Sequence, residues 1–485
     1  MKFRKIFVSH WLIIAIFALA AILRFWRLEA LTTFGGDQGY DFLIVKRMIV
    51  DGKFTLLGPR IGPYIEGQSL YLGPAYYYLI TPALFLFNLD PIGPAIFSAL
   101  LSSLTVVIVY LISKEFFREE IAYIASGIFA IDSFFIIQSK ASSNPHLIPF
   151  FSAIYIFSTF KIFKNAKSKF WFSFVSGLSL GIMFQLHYLA MVLAVPAMIF
   201  ILLKKKFMAM AVLAAGFFAA ITPQVIFELR HNFFILKLFL RNLSEGHIAS
   251  LSNVLAKVVG SVKMLNDITF TNILLLPIFL LLITFSLKDS KDRILVIFLV
   301  ISLIISIVSS SLFPQNLSPH YFAPIYVSIT LLIAIGLFRL LKFSSRGKYI
   351  FVAILITFIC FNATKLNLFA KEGYTMPAGW NLKGEKKAAE IIVKDPDSLK
   401  KFNIAATLDG DTRAMPYRYL VEIKGKIPQD VEAYPQSEVI YLISKDDRQT
   451  IQKYSVWEVS SFRPFSVEQL AEIQNSIKIY KLKRI

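Results

Sequence analysis

The sequence predicts an all-α polytopic membrane protein that ends in a small external α/β domain. Three observations predict it. Of 485 residues, 56% are hydrophobic and only 17% are charged, a balance foreign to soluble domains. Apolar runs long enough for a helix to cross a hydrocarbon core of ~30 Å recur from residue 7 to about 366. From residue 367 onward the pattern gives way to shorter, more charged segments.

The opening stretch, MKFRKIFVSHWLIIAIFALAAILRFW, has the basic head, apolar run and Ala18-x-Ala20 of a secretory signal. Its apolar run continues to Leu23, which predicts an uncleaved first span over 7–28. Ten more spans are expected at 93–113, 121–138, 147–163, 171–187, 188–203, 207–224, 271–287, 294–312, 321–341 and 349–366, about eleven in all. The segment GPAYYYLITPALFLF, 73–87, is short, rich in Tyr and broken by Pro82. Such a segment either spans or lies along the interface.

Charge decides between the two. If 73–87 does not span, the basic clusters beginning at Lys2, Lys114, Lys161, Lys204, Lys288 and Lys342 all fall on one side, and the short loops opposite hold only Lys140. Basic short loops stay in the cytoplasm. The N-terminus is therefore placed inside, 29–92 becomes one long external loop with a membrane-lying segment, and the C-terminus lies outside. The formal charge of +20 is explained by these clusters and excludes no membrane reading in favour of nucleic acid. The single cysteine, Cys360, sits in an apolar run, which rules out disulfides and Cys-rich metal sites.

Residues 1–366 thus form a transmembrane domain and 367–485 an external α/β domain. In the latter, KGEKKAAEIIVKDP reads as a helix, KFNIAAT, SEVIYLIS and SIKIYKL as strands, and SVEQLAEIQ as a second helix.

The polar residues collect on the external side. Asp37, Asp41 and Glu66 are there, with Asn144 and His146 (SSNPH), His187 and Tyr188 (QLHY), Arg230 and His231 (ELRHN), and His320 and Tyr321 (SPHY). Ionisable groups are costly in hydrocarbon, so a ring of them at helix ends suggests a polar cavity opening outward. A transporter would place its binding groups nearer the midplane, where Asp132 is the main exception. Carboxylates activate hydroxyls, and cations with imidazoles hold phosphates. No nucleotide-binding loop motif is present. An enzyme working outside must take its activated group from the membrane, and a sugar on a polyprenyl phosphate meets that need.

The run GGDQGYDFLIVKRMIVDGKF after a first span, followed by GPAYYYLITPALFLF, resembles the start of the GT-C superfamily, in particular its protein O-mannosyltransferase and aminoarabinose lipid A transferase group. ALLSSLTVVIVYLISKEFF, SSNPHLIPF, GIMFQLHYLA and SPHYFAPIYVSITLLIAIGL extend the likeness over most of 1–341. The resemblance implies a GT-C fold and transfer of a sugar, a hexose such as mannose, from a polyprenyl-phosphate donor to an acceptor hydroxyl, with inversion. It implies a prokaryotic plasma membrane setting, a protein or surface glycan or lipid as acceptor, and no nucleic-acid partner. Asp37 matches the first acid of the family pair and would be the general base; Gln38 replaces the second, and Asp41, one turn on, substitutes. Arg230, His231, Lys46 and Arg47 are the candidates for the donor phosphate; Asn144, His146, His187, Tyr188, Glu66, His320 and Tyr321 are those for substrate. No metal ligand set is assigned, although a divalent cation is compatible with the family.

If 38–50 is helical, Asp37 and Asp41 share a face with Arg47 at its flank. Mutual repulsion and burial then raise a carboxylate pKa toward that of a useful base. Simpler roles stand beside these. Asp37 suits a helix cap, Tyr188 an interfacial anchor, Arg230 a lipid headgroup, and LDGDTR at 408–413 a turn rather than a calcium loop. A lipid-linked glycan polymerase or ligase and a non-enzymatic glycolipid flippase or transporter are the rival functions.

Overall fold

The computed structural model describes residues 2–485 except 66–67, 165–168, 246–250, 271, 288–292, 313–315, 344–345, 409 and 475. Helix α1 (Lys2–Phe25) is followed by a short α2 (Leu28–Leu31) and, after a glycine-rich turn, by α3 (Gly36–Val50). An antiparallel hairpin, β1 (Arg60–Ile65) and β2 (Gln68–Tyr71), then leads into α4 (Ala75–Leu86). Starting at a Gly-Pro turn and containing Pro82, α4 is only 12 residues long, too short to cross a bilayer alone.

The bundle continues as α5 (Ile92–Phe116), α6 (Glu119–Ile131), α7 (Ser133–Ser139), α8 (Ile148–Phe163), α9 (Lys169–Leu186), α10 (Ala194–Leu203) and α11 (Phe207–Arg230). After it come α12 (Phe234–Glu245), α13 (Leu251–Phe270), α14 (Leu276–Ser286), α15 (Arg293–Leu312), α16 (Tyr326–Phe343) and α17 (Gly347–Lys365). All eleven expected spans are helical, but they are not equivalent. Among the described residues seven helices are long and apolar enough to cross alone, and α6 with α7 makes an eighth, bent by 56°. Trp11–Phe25, Tyr188–Leu203 and α14 are shorter apolar helices. These three fall within the remaining expected segments 7–28, 188–203 and 271–287.

The break between α6 and α7 frees backbone groups that hydrocarbon cannot satisfy, and side chains supply partners. Arg24 donates to the Phe129 and Ala130 carbonyls at 2.9 Å each. Asp132 accepts from the Phe134 N–H at 2.9 Å, and Asn362 Oδ1 accepts from the Ser133 N–H at 2.8 Å. The mid-bundle acid is thus a helix cap. Lys140 likewise donates to the Arg24 and Trp26 carbonyls at the end of α1, at 2.8 Å each.

Packing follows small residues. Gly177 and Gly181 of α9 meet α11 so closely that a Cβ on Gly177 would lie 1.9 Å from the Leu213 carbonyl oxygen, the small-x-x-x-small logic of membrane helix pairs. Helix α16 is buried from Tyr326 to Phe338, its last turn at Lys342 and Phe343 reaching the surface, and it lies against α6, α14, α15 and α17.

The C-terminal unit contains α18 (Leu382–Lys394), β3 (Phe402–Ala406), α19 (Met415–Glu422), β4 (Val439–Ser444), α20 (Arg448–Gln452), α21 (Trp457–Ser460), β5 (Phe465–Glu472) and β6 (Lys478–Arg484). Its sheet runs β3-β4-β6-β5, with β3 and β4 parallel and the other pairs antiparallel. The helix expected over SVEQLAEIQ is instead the edge strand β5. Its Glu, Gln and Ala favour a helix, and Val467, Leu470 and Ile473 recur every three residues. Yet Val467 packs against one core cluster and Leu470 and Ile473 against another. Both faces of the sheet are covered, so pairing with β6 satisfies backbone and side chains together and overrides local propensity.

Candidate functional site

The glycine-rich turn carries the first acid. Gly35 is the N-cap of α3, and its N–H donates to Gln38 Oε1 at 2.9 Å. Gln38 therefore does the capping that Asp37 was equally suited to do. Asp37 sits in the first helical turn, exposed, and its carboxylate has no hydrogen bond or ion pair among the described residues.

Glycines are required here by the C-terminal unit, which lies directly on α3. A Cβ on Gly36 would come within 2.3 Å of Asp411 Oδ2, and one on Gly39 within 2.4 Å of the Met415 carbonyl carbon. Real side chains do not approach so closely, so only glycine lets α19 reach the helix. The result is an open cleft of about 480 Å³ lined by Gly36, Asp37, Gly410, Asp411, Thr412, Arg413 and Glu458. Arg413 forks onto Asp411 through Nε at 2.8 Å and Nη2 at 3.1 Å, and this pairing raises the guanidinium pKa further.

Asp41 is one turn on, as expected, but in different surroundings. It is 5% exposed, and Tyr77 donates its hydroxyl hydrogen to Oδ1 at 2.8 Å. Burial pushes the carboxyl up to about 8, the Tyr77 bond opposing the shift and the Asp37 charge adding to it. Near neutral pH Asp41 is therefore largely a neutral acid beside an open carboxylate, a division of roles set by environment. The adjacent Tyr76 turns the other way and donates to the Ser142 carbonyl at 2.8 Å.

Through Tyr76, α4 is tied to the loop that bears the next candidates. Asn144 donates to the Leu186 carbonyl at 2.7 Å. His146 Nδ1 lies 3.0 Å from the Ala141 carbonyl, which can only accept, so Nδ1 carries a proton. The His187 and His320 rings are 5.3 Å apart, and Tyr321 lies 5.5 Å from His187. Tyr188 donates to the Tyr71 carbonyl in β2 and accepts from Gln224 at 3.1 Å. A second cavity includes Ser102, Thr105, Gln138, Ser139, His146 and His320 in its lining. Asn144, His146, His187, Tyr188, His320 and Tyr321 are thus gathered at one end of the bundle.

The basic candidates are more dispersed. Lys46 is held by Glu422 of α19 at 2.8 Å, and Arg47 is exposed. Arg230 is exposed at the end of α11, while the His231 ring stacks on Phe227 at 4.1 Å. Glu228 accepts from the Ile235 and Leu236 N–H groups at the start of α12. Neither cavity is lined by Arg230 or His231, so the single cavity expected to join them to Asp37 is not one of these two. Glu66 lies outside the described residues. Among the described residues no group of three or more His, Cys, Asp or Glu is placed to hold a metal ion. Sequence reasoning missed Tyr76, Tyr77, Asp411, Arg413 and Glu458. The Tyr run and LDGDTR were visible, but nothing local says that they meet α3.

Residues 72–227 match the model of the dolichyl-phosphate-mannose-protein mannosyltransferase family. No curated protein matches the chain by sequence. In structure the chain is similar to ArnT from Cupriavidus metallidurans bound to undecaprenyl phosphate, with a TM-score of 0.65 at 11% identity over 98% of each chain. It is also similar to the oligosaccharyltransferase AglB from Archaeoglobus fulgidus, in complex with an inhibitory peptide and a dolichol-phosphate, with a TM-score of 0.54 at 14% identity over 91% of this chain and 69% of that one. On the shared architecture, the chain is a membrane protein of the GT-C fold, and its residues 72–227 are similar to the dolichyl-phosphate-mannose-protein mannosyltransferase family.

Proposed function

We propose that the chain transfers a sugar, a hexose such as mannose, from a polyprenyl-phosphate donor to an acceptor hydroxyl on the extracytoplasmic face of a prokaryotic plasma membrane. Asp37 takes the acceptor proton. The acceptor oxygen forms the new bond to the anomeric carbon as the bond to the phosphate oxygen breaks on the opposite face, so configuration inverts and polyprenyl phosphate leaves with the electron pair. The observation that carries this reading is the Asp37 carboxylate, unpaired and lining an open polar cleft, beside an Asp41 kept protonated by burial.

Support comes from the neighbours. ArnT was seen with undecaprenyl phosphate and AglB with a dolichol-phosphate and a peptide, which favours a lipid-phosphate donor and an acceptor on a protein, glycan or lipid. Arg47 and Arg230 are exposed cations suited to meet a phosphate at the membrane surface, whereas His231 Nδ1 is held by the Phe227 carbonyl and Lys46 is engaged by Glu422. The imidazoles of His146, His187 and His320, with Asn144, Tyr188 and Tyr321, line the approach for substrate. The basic clusters of the sequence favour an extracytoplasmic position for this end.

The test is to offer radiolabelled polyprenyl-phosphate sugars to the purified protein and measure lipid-phosphate release by wild type and Asp37→Asn. Release by wild type alone is expected. Equal release by both would remove Asp37 as the base, and no release with any donor would remove the activity itself.

A further inference from the structure

Glu458 stands out in the cleft at the junction. It is 9% exposed, and it takes no hydrogen bond or ion pair among the described residues. The residue is largely buried while its carboxylate opens onto the cleft, where it presents acceptors to a ligand that donates hydrogen bonds. It faces the same cleft as Asp37, although 421 residues separate the two in sequence.

The lining narrows the ligand. Asp37, Asp411 and Glu458 bring three carboxylates against the one guanidinium of Arg413, which leaves the cleft net negative. Arg413 is engaged bidentately by Asp411, so it does not offer its fork to an incoming anion. The carboxylates of Asp37 and Glu458 remain as acceptors. A single serine or threonine hydroxyl satisfies one acceptor, whereas a sugar presents several hydroxyl donors at once. A phosphate or carboxylate on the acceptor meets like charge there, a juxtaposition that costs specificity and affinity.

Resting on the function proposed above, we infer that the cleft between α3 and the C-terminal unit is the acceptor site, that Glu458 is a binding residue in it, and that the acceptor is an uncharged carbohydrate. Glu458 and Asp37 grip neighbouring hydroxyls of one sugar, Asp37 taking the one that reacts. The C-terminal unit is thereby part of the substrate site and sets which acceptors enter.

The experiment measures binding, so it does not depend on turnover. Full-length protein in lipid nanodiscs is titrated, by ligand-observed NMR, with methyl mannobioside, with its 6-phosphate, and with a neutral serine-containing peptide. The neutral disaccharide is expected to bind at least about tenfold more tightly than either. Glu458→Gln, which keeps the shape and leaves no described partner unpaired, weakens it by about tenfold. Glu458→Lys turns the preference toward the phosphorylated sugar, while an unchanged melting midpoint shows that both variants are folded. Equal binding of the two sugars, tighter binding of the peptide, no binding of any probe, or affinities untouched in both variants overturns the inference. If the disaccharide binds as expected but wild type releases no lipid phosphate, the transferase reading fails while the carbohydrate site stands.

Discussion

Tyr77 donates its hydroxyl hydrogen to Asp41 Oδ1 at 2.8 Å, in a setting where the carboxyl is 5% exposed. Burial raises the folded pKa from 3.8 to about 8. Folded Asp41 keeps its proton up to about pH 8, whereas the unfolded chain releases it near 3.8. The folded state binds the extra proton between those values, so stability is highest below 3.8, falls as pH rises, and has lost the whole contribution above 8. Each unit is worth about 1.4 kcal/mol, so Asp41→Asn, which still accepts from Tyr77, is expected to raise the melting midpoint at pH 9 and to flatten its pH dependence from 4 to 8. Parallel profiles for the two proteins would contradict this.

Asp37→Asn keeps the size of the side chain and removes its basicity. General-base catalysis contributes about 10²–10⁴ in rate, so kcat for lipid-phosphate release should fall by that range with the melting midpoint unchanged. A fall of less than tenfold would assign the proton to another group.

Gly39→Ala reverses the usual rule for helices. Alanine ordinarily stabilises a helix by about 1 kcal/mol over glycine. At position 39 the new Cβ would meet the Met415 carbonyl carbon at 2.4 Å, so α19 must lift away from α3. Faster hydrogen exchange over 411–422 and loss of transfer are expected. Gly127→Ala in α6, where a Cβ meets nothing within 4 Å, is the control and should leave both unchanged.

Arg24→Met leaves the Phe129 and Ala130 carbonyls without their guanidinium donor. Each buried carbonyl left without its donor costs about 1–3 kcal/mol, so folded yield and melting midpoint in detergent should drop sharply. Leu101→Ala, an apolar truncation on α5, is expected to cost less; the reverse order would show that the bend is held by packing.

Hydropathy made the bundle legible because a membrane helix must be apolar along its length, whatever its neighbours are. It did not reveal the bend at Asp132, whose partners Arg24 and Asn362 lie more than a hundred residues away on either side. Three of the four strands of the C-terminal sheet were readable from β-branched runs, while β5 was not, since its identity depends on the edge that β6 offers. At the site, helical spacing correctly put Asp37 and Asp41 one turn apart. What spacing cannot tell is that one faces a cleft and the other Tyr77, a difference fixed by α4 and α19. The same limit hid Glu458, whose significance exists only where 458 meets 37.

The glycine contacts of α3 also set how the chain can be taken apart. Because positions 36 and 39 are fitted to 411 and 415–416 atom against atom, the two halves of the molecule are not interchangeable modules. A chimera that exchanges the C-terminal unit alone brings a new loop against an old helix, so 36–39 and 410–416 must travel together as one cassette.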